Sequence, residues 1–290
     1  MAFGLLETDT ARRLLTAAAT AGLDLASALE GDDDHLRRTE VAQPALLMVE
    51  CTLQAAIPDE TPIAAVAGHS VGEYAACVAA GALEPETAMR LVIARGRAMA
   101  AMREGTMCAF IGLDADVVSA ICDEVQRDTG EVVVVANLNA PGQVVISGTV
   151  AGVNAATQAA TQKGLRRAVP LNVSGAFHSP LMADAATDFA ADLDNADIRD
   201  PRVPVVCNVD ATAVDTADAL RDRLRRQLTS PVRWVDCVAT LVARGADALV
   251  EVGPGTVLSG LARRIAPGVT TAGVSRLEDA RRLGVAGDAG

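Results

Sequence analysis

Between residues 63 and 265, short apolar runs of strand length alternate with longer segments whose apolar residues recur at helical spacing, which restricts the chain to few folds. IAAVAG (63–68), RVPVVCNVD (202–210) and the start of ADALVEVGPGTVLSGLARRI (246–265) read as strands. GEYAACVAAGAL, ended at Gly81, and PETAMRLVIARGRAMAAM, with Pro85 in its first turn, read as helices. Strands separated by helices predict a parallel sheet with helices on both faces. Upstream, residues 9–30 carry helical periodicity, Asp32 to Asp34 read as a solvated acidic loop, and a second helix is expected to begin near Pro44. The last residues, GVAGDAG, are expected to fray.

One stretch departs from this alternation. MCAFIGL, DADVVSAICDEVQR, EVVVVAN, GQVVISG, VAGVNAATQAATQKG and LRRAVPLN follow the order βαββαβ, the ferredoxin-like signature. Strand and helix patterns resume on either side, so residues 106–173 are read as an inserted ferredoxin-like subdomain and residues 1–105 with 174–290 as the core.

Composition narrows the function. Aromatic residues are 2% of the 290, so the core is built from Ala, Val and Leu, and rings for stacking on bases are scarce. A net charge of −12 repels a phosphate backbone, and nucleic acid is excluded as a partner. Six cysteines (Cys51, Cys77, Cys108, Cys122, Cys207 and Cys237), most of them in apolar runs, are scattered without a C-x-x-C pair, the pattern of buried thiols in a reducing compartment. No leader pattern opens the chain and no apolar run reaches the length of a membrane span. A soluble cytoplasmic monomer that contacts no membrane is expected.

Gly68-His69-Ser70-Val71-Gly72 places a serine between a strand and a helix. That context lets a sharp turn present the hydroxyl beside backbone N–H groups, with the helix dipole favouring a developing oxyanion. Glycines are expected on both sides because Cβ atoms crowd such a turn. The bare pattern equally suits a small residue in a tight turn; the strand and helix weigh against that. A serine nucleophile needs a base, and three histidines are available. His35 lies in the acidic run and His69 is the neighbour of Ser70, where side chains point apart and support the turn. His178, in the loop-like VSGAFHSPLM, remains as the base by elimination. A lone loop histidine is also often a plain surface residue.

Taken together, GHSVGEYAA, QPALL (43–47), ARGRAM (94–99), APGQVVISG (140–148), SGAFHSPLM (174–182), VCNVD (206–210), QLTSPVRW (227–234) and EVGPGTVLSGL (251–261) form an ordered set. The set resembles the malonyl-CoA:acyl carrier protein transacylases of fatty acid synthesis, from about Gln43 to Arg276. The resemblance implies an α/β-hydrolase-like core carrying the ferredoxin-like insertion. It also implies ping-pong transfer of a malonyl group through an ester on Ser70, with His178 as general base and no cofactor or metal. Malonyl-CoA is the implied donor, and the phosphopantetheine of acyl carrier protein the acceptor. It further implies that the Gln227 backbone carbonyl orients His178, that the Val71 N–H is an oxyanion donor, and that Arg95 grips the malonyl carboxylate. Gln43 is placed in the hydrogen-bond network, and Phe177 is matched to malonyl rather than branched acyl groups. GPG (253–255) is placed beside the site. The pairs Arg166/Arg167, Arg225/Arg226 and Arg263/Arg264 are offered to the acidic carrier or to CoA phosphates; most such pairs are simply solvated.

The family opens with an apolar strand running into a PGQG loop, and nothing before residue 43 matches it. The expectation is a sheet short of one strand, an oxyanion hole short of one donor at about two to three orders of magnitude in rate, and a natural start upstream of Met1. A polyketide-pathway acyltransferase of other acyl specificity, an impaired homologue that still docks carrier protein, and a serine esterase stand as alternatives. The esterase leaves Arg95 without a task.

Overall fold

The computed structural model describes residues 4–173 and 175–283; the fraying expected at 284–290 lies outside them. The chain opens with α1 (Asp9–Thr20), α2 (Leu25–Ala28), α3 (Asp33–Arg37) and α4 (Thr39–Gln54). The Thr8 hydroxyl caps α1 by accepting the Ala11 N–H at 3.2 Å. The periodicity over 9–30 yields two helices, not one, because Gly22 at φ +75° turns the chain between them. The acidic run is not a loop. Asp32 accepts the His35 N–H at 2.8 Å and caps α3, where Asp33 and Asp34 sit at the positive end of the helix dipole. Helix α4 starts at Thr39 and carries Pro44 inside it, so the start expected near Pro44 falls within the helix. Packing outweighs the local signal here: Val41, Gln43, Pro44, Leu47 and Met48 are all buried on one helix.

Strand β1 (Val66–Ala67) leads into α5 (Gly72–Ala79), and α6 (Pro85–Ala101) begins on a proline whose missing N–H has no helical partner to lose. Next come β2 (Thr106–Ile111), α7 (Ala115–Thr129), β3 (Val133–Ala140), β4 (Gln143–Gly148), α8 (Val150–Gln162) and β5 (Arg167–Pro170). These four strands form one antiparallel sheet in the order β3-β4-β2-β5. Helices α7 and α8 close over Phe110, Ile121, Val133, Ile146 and Val153. Val232 ties this sheet to the rest of the chain, its N–H donating to Ala136 O at 2.8 Å and its carbonyl accepting Leu138 N–H at 2.9 Å.

The remainder comprises α9 (Ala183–Asp194), β6 (Val205–Val206), β7 (Ala213–Val214), α10 (Ala217–Arg226), α11 (Trp234–Ala243), β8 (Ala248–Val252), α12 (Val257–Ile265), β9 (Thr270–Val274) and α13 (Leu277–Arg282). Helices α1, α4, α5, α6 and α9 bury Leu14, Leu47, Tyr74, Met89, Ile93 and Phe189 in the main core. All six cysteines are buried and unpaired with one another. No helix among the described residues is long and apolar enough to cross a membrane.

The single parallel sheet expected outside the insertion is divided. β1 pairs in parallel with β6, β7 adds an antiparallel edge, and β8 and β9 form a parallel pair of their own. Of the run 63–68 only Val66 and Ala67 join a ladder, against Val205 and Val206. A cavity of about 820 Å³ runs along this stretch, lined among others by Ala65, Ala67, Ala248 and Val250. No strand precedes β1 among the described residues, so nothing joins the two sheets across it. Ile63 and Val250 stand at this cavity, 44% and 40% exposed.

Glu50 of α4 also lines the cavity, and its Oε2 is buried with no hydrogen-bond partner. Burial pushes this carboxyl up to about 8 from 4.5. Between those values the folded chain keeps a proton that the unfolded chain releases, so the stability it contributes is full below the unfolded value and is lost as pH rises through about 8. We expect Glu50→Gln to flatten the fall of the thermal midpoint between pH 5 and about 8.5 and to exceed the wild type at the alkaline end. Parallel curves for the two proteins in thermal unfolding would contradict this.

Candidate active site

The turn from β1 to α5 is built around one glycine. A Cβ on Gly68 would stand 2.0 Å from the carbonyl carbon and oxygen of Gly72, so no other residue fits. Gly72 is different: the nearest atom to a Cβ there is Glu50 Oε1 at 4.0 Å. The unusual backbone angle falls on neither glycine but on Ser70 itself, at φ +52°. For an L-residue this conformation costs about 1–2 kcal/mol, so the surroundings must hold it. Ser70 N–H donates to Asn208 Oδ1 at 2.8 Å, and Asn208 Nδ2 donates to Gly68 O at 2.7 Å. The Val71 N–H, at the start of α5, has no acceptor among the described residues.

His178 approaches from the segment after β5, also at positive φ, +57°. A 3₁₀ turn over Pro180–Met182 follows it, and Ser179 closes that turn through Ala176 O at 2.6 Å and the Leu181 N–H at 3.2 Å. The imidazole is 4% exposed and places Nε2 2.8 Å from Ser70 Oγ. Its Nδ1 faces two carbonyls, Gln227 O at 3.0 Å and Ser230 O at 3.2 Å. Carbonyls only accept, so Nδ1 carries the hydrogen and Nε2 is left with its lone pair toward the serine. Burial, then the positive charge of Arg95, pull the imidazole down to about 3, against the opposing pull of the Gln227 carbonyl. It is neutral at physiological pH, the form that can take a proton from a hydroxyl.

Arg95 of α6 is 1% exposed. Its Nη1 donates to Gln43 Oε1 at 2.5 Å, and its Nη2 to Gln227 Oε1 at 2.9 Å and Ser70 Oγ at 3.1 Å. The guanidinium also lies 5.8 Å from the centre of the Tyr74 ring, a cation–π contact. No carboxylate is in ion-pair contact with it among the described residues. The nearest acid in this network, Glu73, is fully buried and accepts from Gln227 Nε2. Burial pushes its carboxyl up to about 7, opposed by its hydrogen bonds and by Arg95. A buried cation without a full counter-charge, one hydrogen bond from a serine oxygen, can receive an anionic group there.

The structure thus brings Ser70, His178, Arg95, Gln43 and Gln227 together, with Val71 beside them. Gln227 does more than its backbone role: its side chain accepts from Arg95 and donates to Ser70 O at 3.0 Å. Gln43 makes a local bond to Thr39 Oγ1 as well as its bond to Arg95. Phe177 is half-buried where the main core meets Met107, Ala136 and Val145, a packing position. His35 sits on α3, away from this cluster, while His69 Nε2 bonds Asn139 Oδ1 at 2.8 Å and so ties the turn to β3. Gly253 and Pro254 line the same cavity as Gly68 and Gly72. Among the arginine pairs, Arg225 and Arg226 meet Asp194, Asp210 and Asp222, and Arg264 bonds Gln143 and Pro141. No cluster of His, Cys, Asp and Glu suited to a metal occurs among the described residues. Sequence reasoning assigned nothing to Asn208 or Glu73, though a lone acid in the apolar helix GEYAACVA was a signal for the second.

The acyl transferase domain family matches residues 1–278. The malonyl CoA-acyl carrier protein transacylase of Bacillus subtilis (strain 168) is 42% identical over 255 residues, 85% of this chain and 78% of that protein. That of Staphylococcus aureus (strain COL) is 37% identical over 278 residues, 94% and 90% of the two chains. Among solved structures, an acyl-carrier-protein-S-malonyltransferase from Bartonella henselae superposes with a TM-score of 0.90 at 37% identity, covering 98% of this chain and 95% of the other. A malonyl-transacylase in complex with a holo type II PKS acyl-carrier protein does so at 0.90 and 35% identity, covering 98% and 94%.

The two glycines make a sharp contrast. Gly68→Ala, with a Cβ placed 2.0 Å from backbone, should abolish reaction of Ser70 with a fluorophosphonate reagent or prevent folding. Gly72→Ala, in open space, should react within about threefold of wild type, at a stability cost of no more than about 1 kcal/mol. Equal tolerance at both positions would refute the steric account of this turn.

Proposed function

The chain belongs to the acyl transferase domain family, and on that premise we propose that it moves a malonyl group from coenzyme A to acyl carrier protein through an ester on Ser70. It is an acyltransferase, a malonyl-CoA:acyl carrier protein S-malonyltransferase. The observation that carries the mechanism is the 2.8 Å contact between Ser70 Oγ and the unprotonated Nε2 of His178. His178 takes the hydroxyl proton as Oγ bonds to the thioester carbonyl carbon. The negative charge that forms on the carbonyl oxygen meets the free Val71 N–H and the dipole of α5. The C–S bond then breaks, and the coenzyme A sulfur leaves with the proton held on His178. In the second half the pantetheine thiol of the carrier gives its proton to His178 and attacks the ester, and Ser70 recovers its hydrogen. No cofactor enters either half.

Two carbonyls stand where a Ser-His-Asp site keeps a carboxylate. They fix the tautomer and stabilise the transient imidazolium by dipoles, without adding a second negative charge next to Glu73. Arg95 holds the malonyl carboxylate: its fork donates to both oxygens, and it lies one hydrogen bond from the atom that bears the acyl group. Phe177, one residue before the base, is the position that the resemblance matches to malonyl rather than branched acyl groups.

The division of the chain supports the same reading. We take residues 106–173, with their sheet order β3-β4-β2-β5, as a ferredoxin-like insertion in an α/β-hydrolase-like core formed by 1–105 and 174–290. Dyad, arginine and free N–H all come from one chain, so a monomer suffices, and six buried thiols suit the reducing cytoplasm. Fatty acid synthesis is the pathway this transfer serves. A carrier of polyketide synthesis is the second reading, favoured by the structural relative bound to a type II PKS carrier.

Incubation with malonyl-CoA should add one malonyl group to the intact mass, retained after desalting and absent in Ser70→Ala. Arg95→Ala should lower malonyl transfer by about 10²-fold or more while leaving acetyl transfer within about tenfold, since only the first substrate loses a charged hydrogen-bond partner. Equal losses for both acyl groups would reject the proposed role of Arg95. Transfer rates to a fatty acid carrier and a polyketide carrier separate the two pathways.

A further inference from the structure

Asn208 lies just beyond β6 and is fully buried. All of its hydrogen-bonding groups are used. Its N–H faces both oxygens of Glu73 at 3.4 Å, and its carbonyl accepts the Arg233 N–H at 3.0 Å. Its side chain reaches the serine turn alone, Oδ1 to the Ser70 N–H and Nδ2 to the Gly68 carbonyl. Three non-glycine residues have positive φ among those described: Ser70, His178 and Ala211, the last in the tight turn that carries Asn208. That turn is closed by Ala211 N–H to Cys207 O at 2.9 Å and by Cys207 N–H to Thr212 O at 3.0 Å.

We propose that Asn208 is the positioning residue of the nucleophile turn, its carboxamide holding Ser70 in the left-handed conformation that aims Oγ at His178. The inference rests on Ser70 being the nucleophile. A carboxamide satisfies both ends of the turn at any pH, because one atom accepts a hydrogen and the other donates one. The Ser70 N–H is thereby turned toward the Asn208 side chain, while the next N–H, of Val71, is left without an acceptor among the described residues. Glu73 extends the device. It faces the Asn208 N–H and accepts from Gln227 Nε2, and the Gln227 carbonyl orients His178. Nucleophile and base are therefore referenced to one buried carboxyl group.

Asn208→Asp keeps the shape and changes one donor into an acceptor. As a carboxylate it opposes the Gly68 carbonyl oxygen with an oxygen that carries no hydrogen; protonated, it donates again. The groups around it are Glu73 of α5, Cys207 and Cys237, Asp210 two residues on, Arg233 at the start of α11, and Arg95, His69 and His178 across the turn. Burial together with Glu73 raises the new carboxyl, favouring the protonated form that donates. At pH 8 the rate of Ser70 acylation by malonyl-CoA should drop about 10²-fold, a loss typical of an approximately 1 Å misplacement. Its ratio to wild type at the same pH, which cancels the titration of His178, should recover at least about tenfold by pH 5.5. Asn208→Ala removes both bonds without a charge and should lose about 10²-fold at every pH, with KM within about threefold because Asn208 does not touch substrate.

A ratio flat with pH in folded Asn208→Asp, or acylation within about threefold of wild type in folded Asn208→Ala, overturns the proposal. So does failure of both variants to fold, which makes Asn208 a residue of folding alone. If wild-type protein forms no malonyl adduct, the transferase reading is what fails, and the rate of Ser70 labelling by a fluorophosphonate then measures the same effects of Asn208.

Discussion

The organising constraint of this protein is a positive charge kept out of water. Arg95 is buried with no carboxylate in ion-pair contact among the described residues, and an uncompensated guanidinium of that kind is costly unless its hydrogens find acceptors. The fold supplies them to the two Nη groups from distant places, Gln43 from α4, Gln227 from the end of α10 and Ser70 from the turn, with the Tyr74 ring of α5 beside the cation, while the buried Nε has no partner among the described residues. Helix α6 can bring Arg95 that close to α4 because the next residue is Gly96, where a Cβ would stand 3.1 Å from Glu40 Cα. Acceptors alone do not neutralise the charge. In the proposed reaction the substrate's carboxylate does so, which makes selection of a malonyl group a consequence of how the core is packed.

The same charge shapes the base. Burial does most to keep His178 neutral and Arg95 adds to it, while the Gln227 and Ser230 carbonyls hold the ring in place and offset that shift only in part. A carboxylate in their position would raise the proton affinity of the imidazole and would confront Glu73, already pushed up to about 7 by burial. Dipoles in place of a third ionised group are thus consistent with a site that holds one arginine, one buried acid and one incoming anion.

The positions of Ser70 and His178 were legible because each lies in a short motif with a local cause: a glycine turn before a helix, and a loop histidine left over when two others are explained. The roles of Arg95, Gln43 and the Gln227 carbonyl were legible only through resemblance, since nothing in their local sequence marks them. Asn208 and Glu73 escaped altogether, because what distinguishes them is a partner more than a hundred residues away. In the fold, the βαββαβ stretch reads well because each of its elements pairs or packs with a near neighbour. The core sheet reads poorly for the opposite reason. Whether Ala64 or Ala65 joins a ladder depends on what lies beside it, and a cavity lies there, so a six-residue apolar run yields only Val66 and Ala67 as strand. Asp32 to Asp34 misled in a smaller way: residues that suit a solvated loop suit a helix N-terminus equally well.

The central claim is that a neutral imidazole, with its hydrogen on Nδ1, faces Ser70 in the resting protein. Nitrogen NMR of histidine-labelled protein tests it directly, with Ser70→Ala and His178→Gln used to assign the ring. The account predicts that His178 at pH 5 still shows one protonated nitrogen, Nδ1, and a bare Nε2, and begins to titrate only toward about 3. An imidazolium with both nitrogens protonated, titrating near the ordinary histidine value of about 6.5, would contradict it.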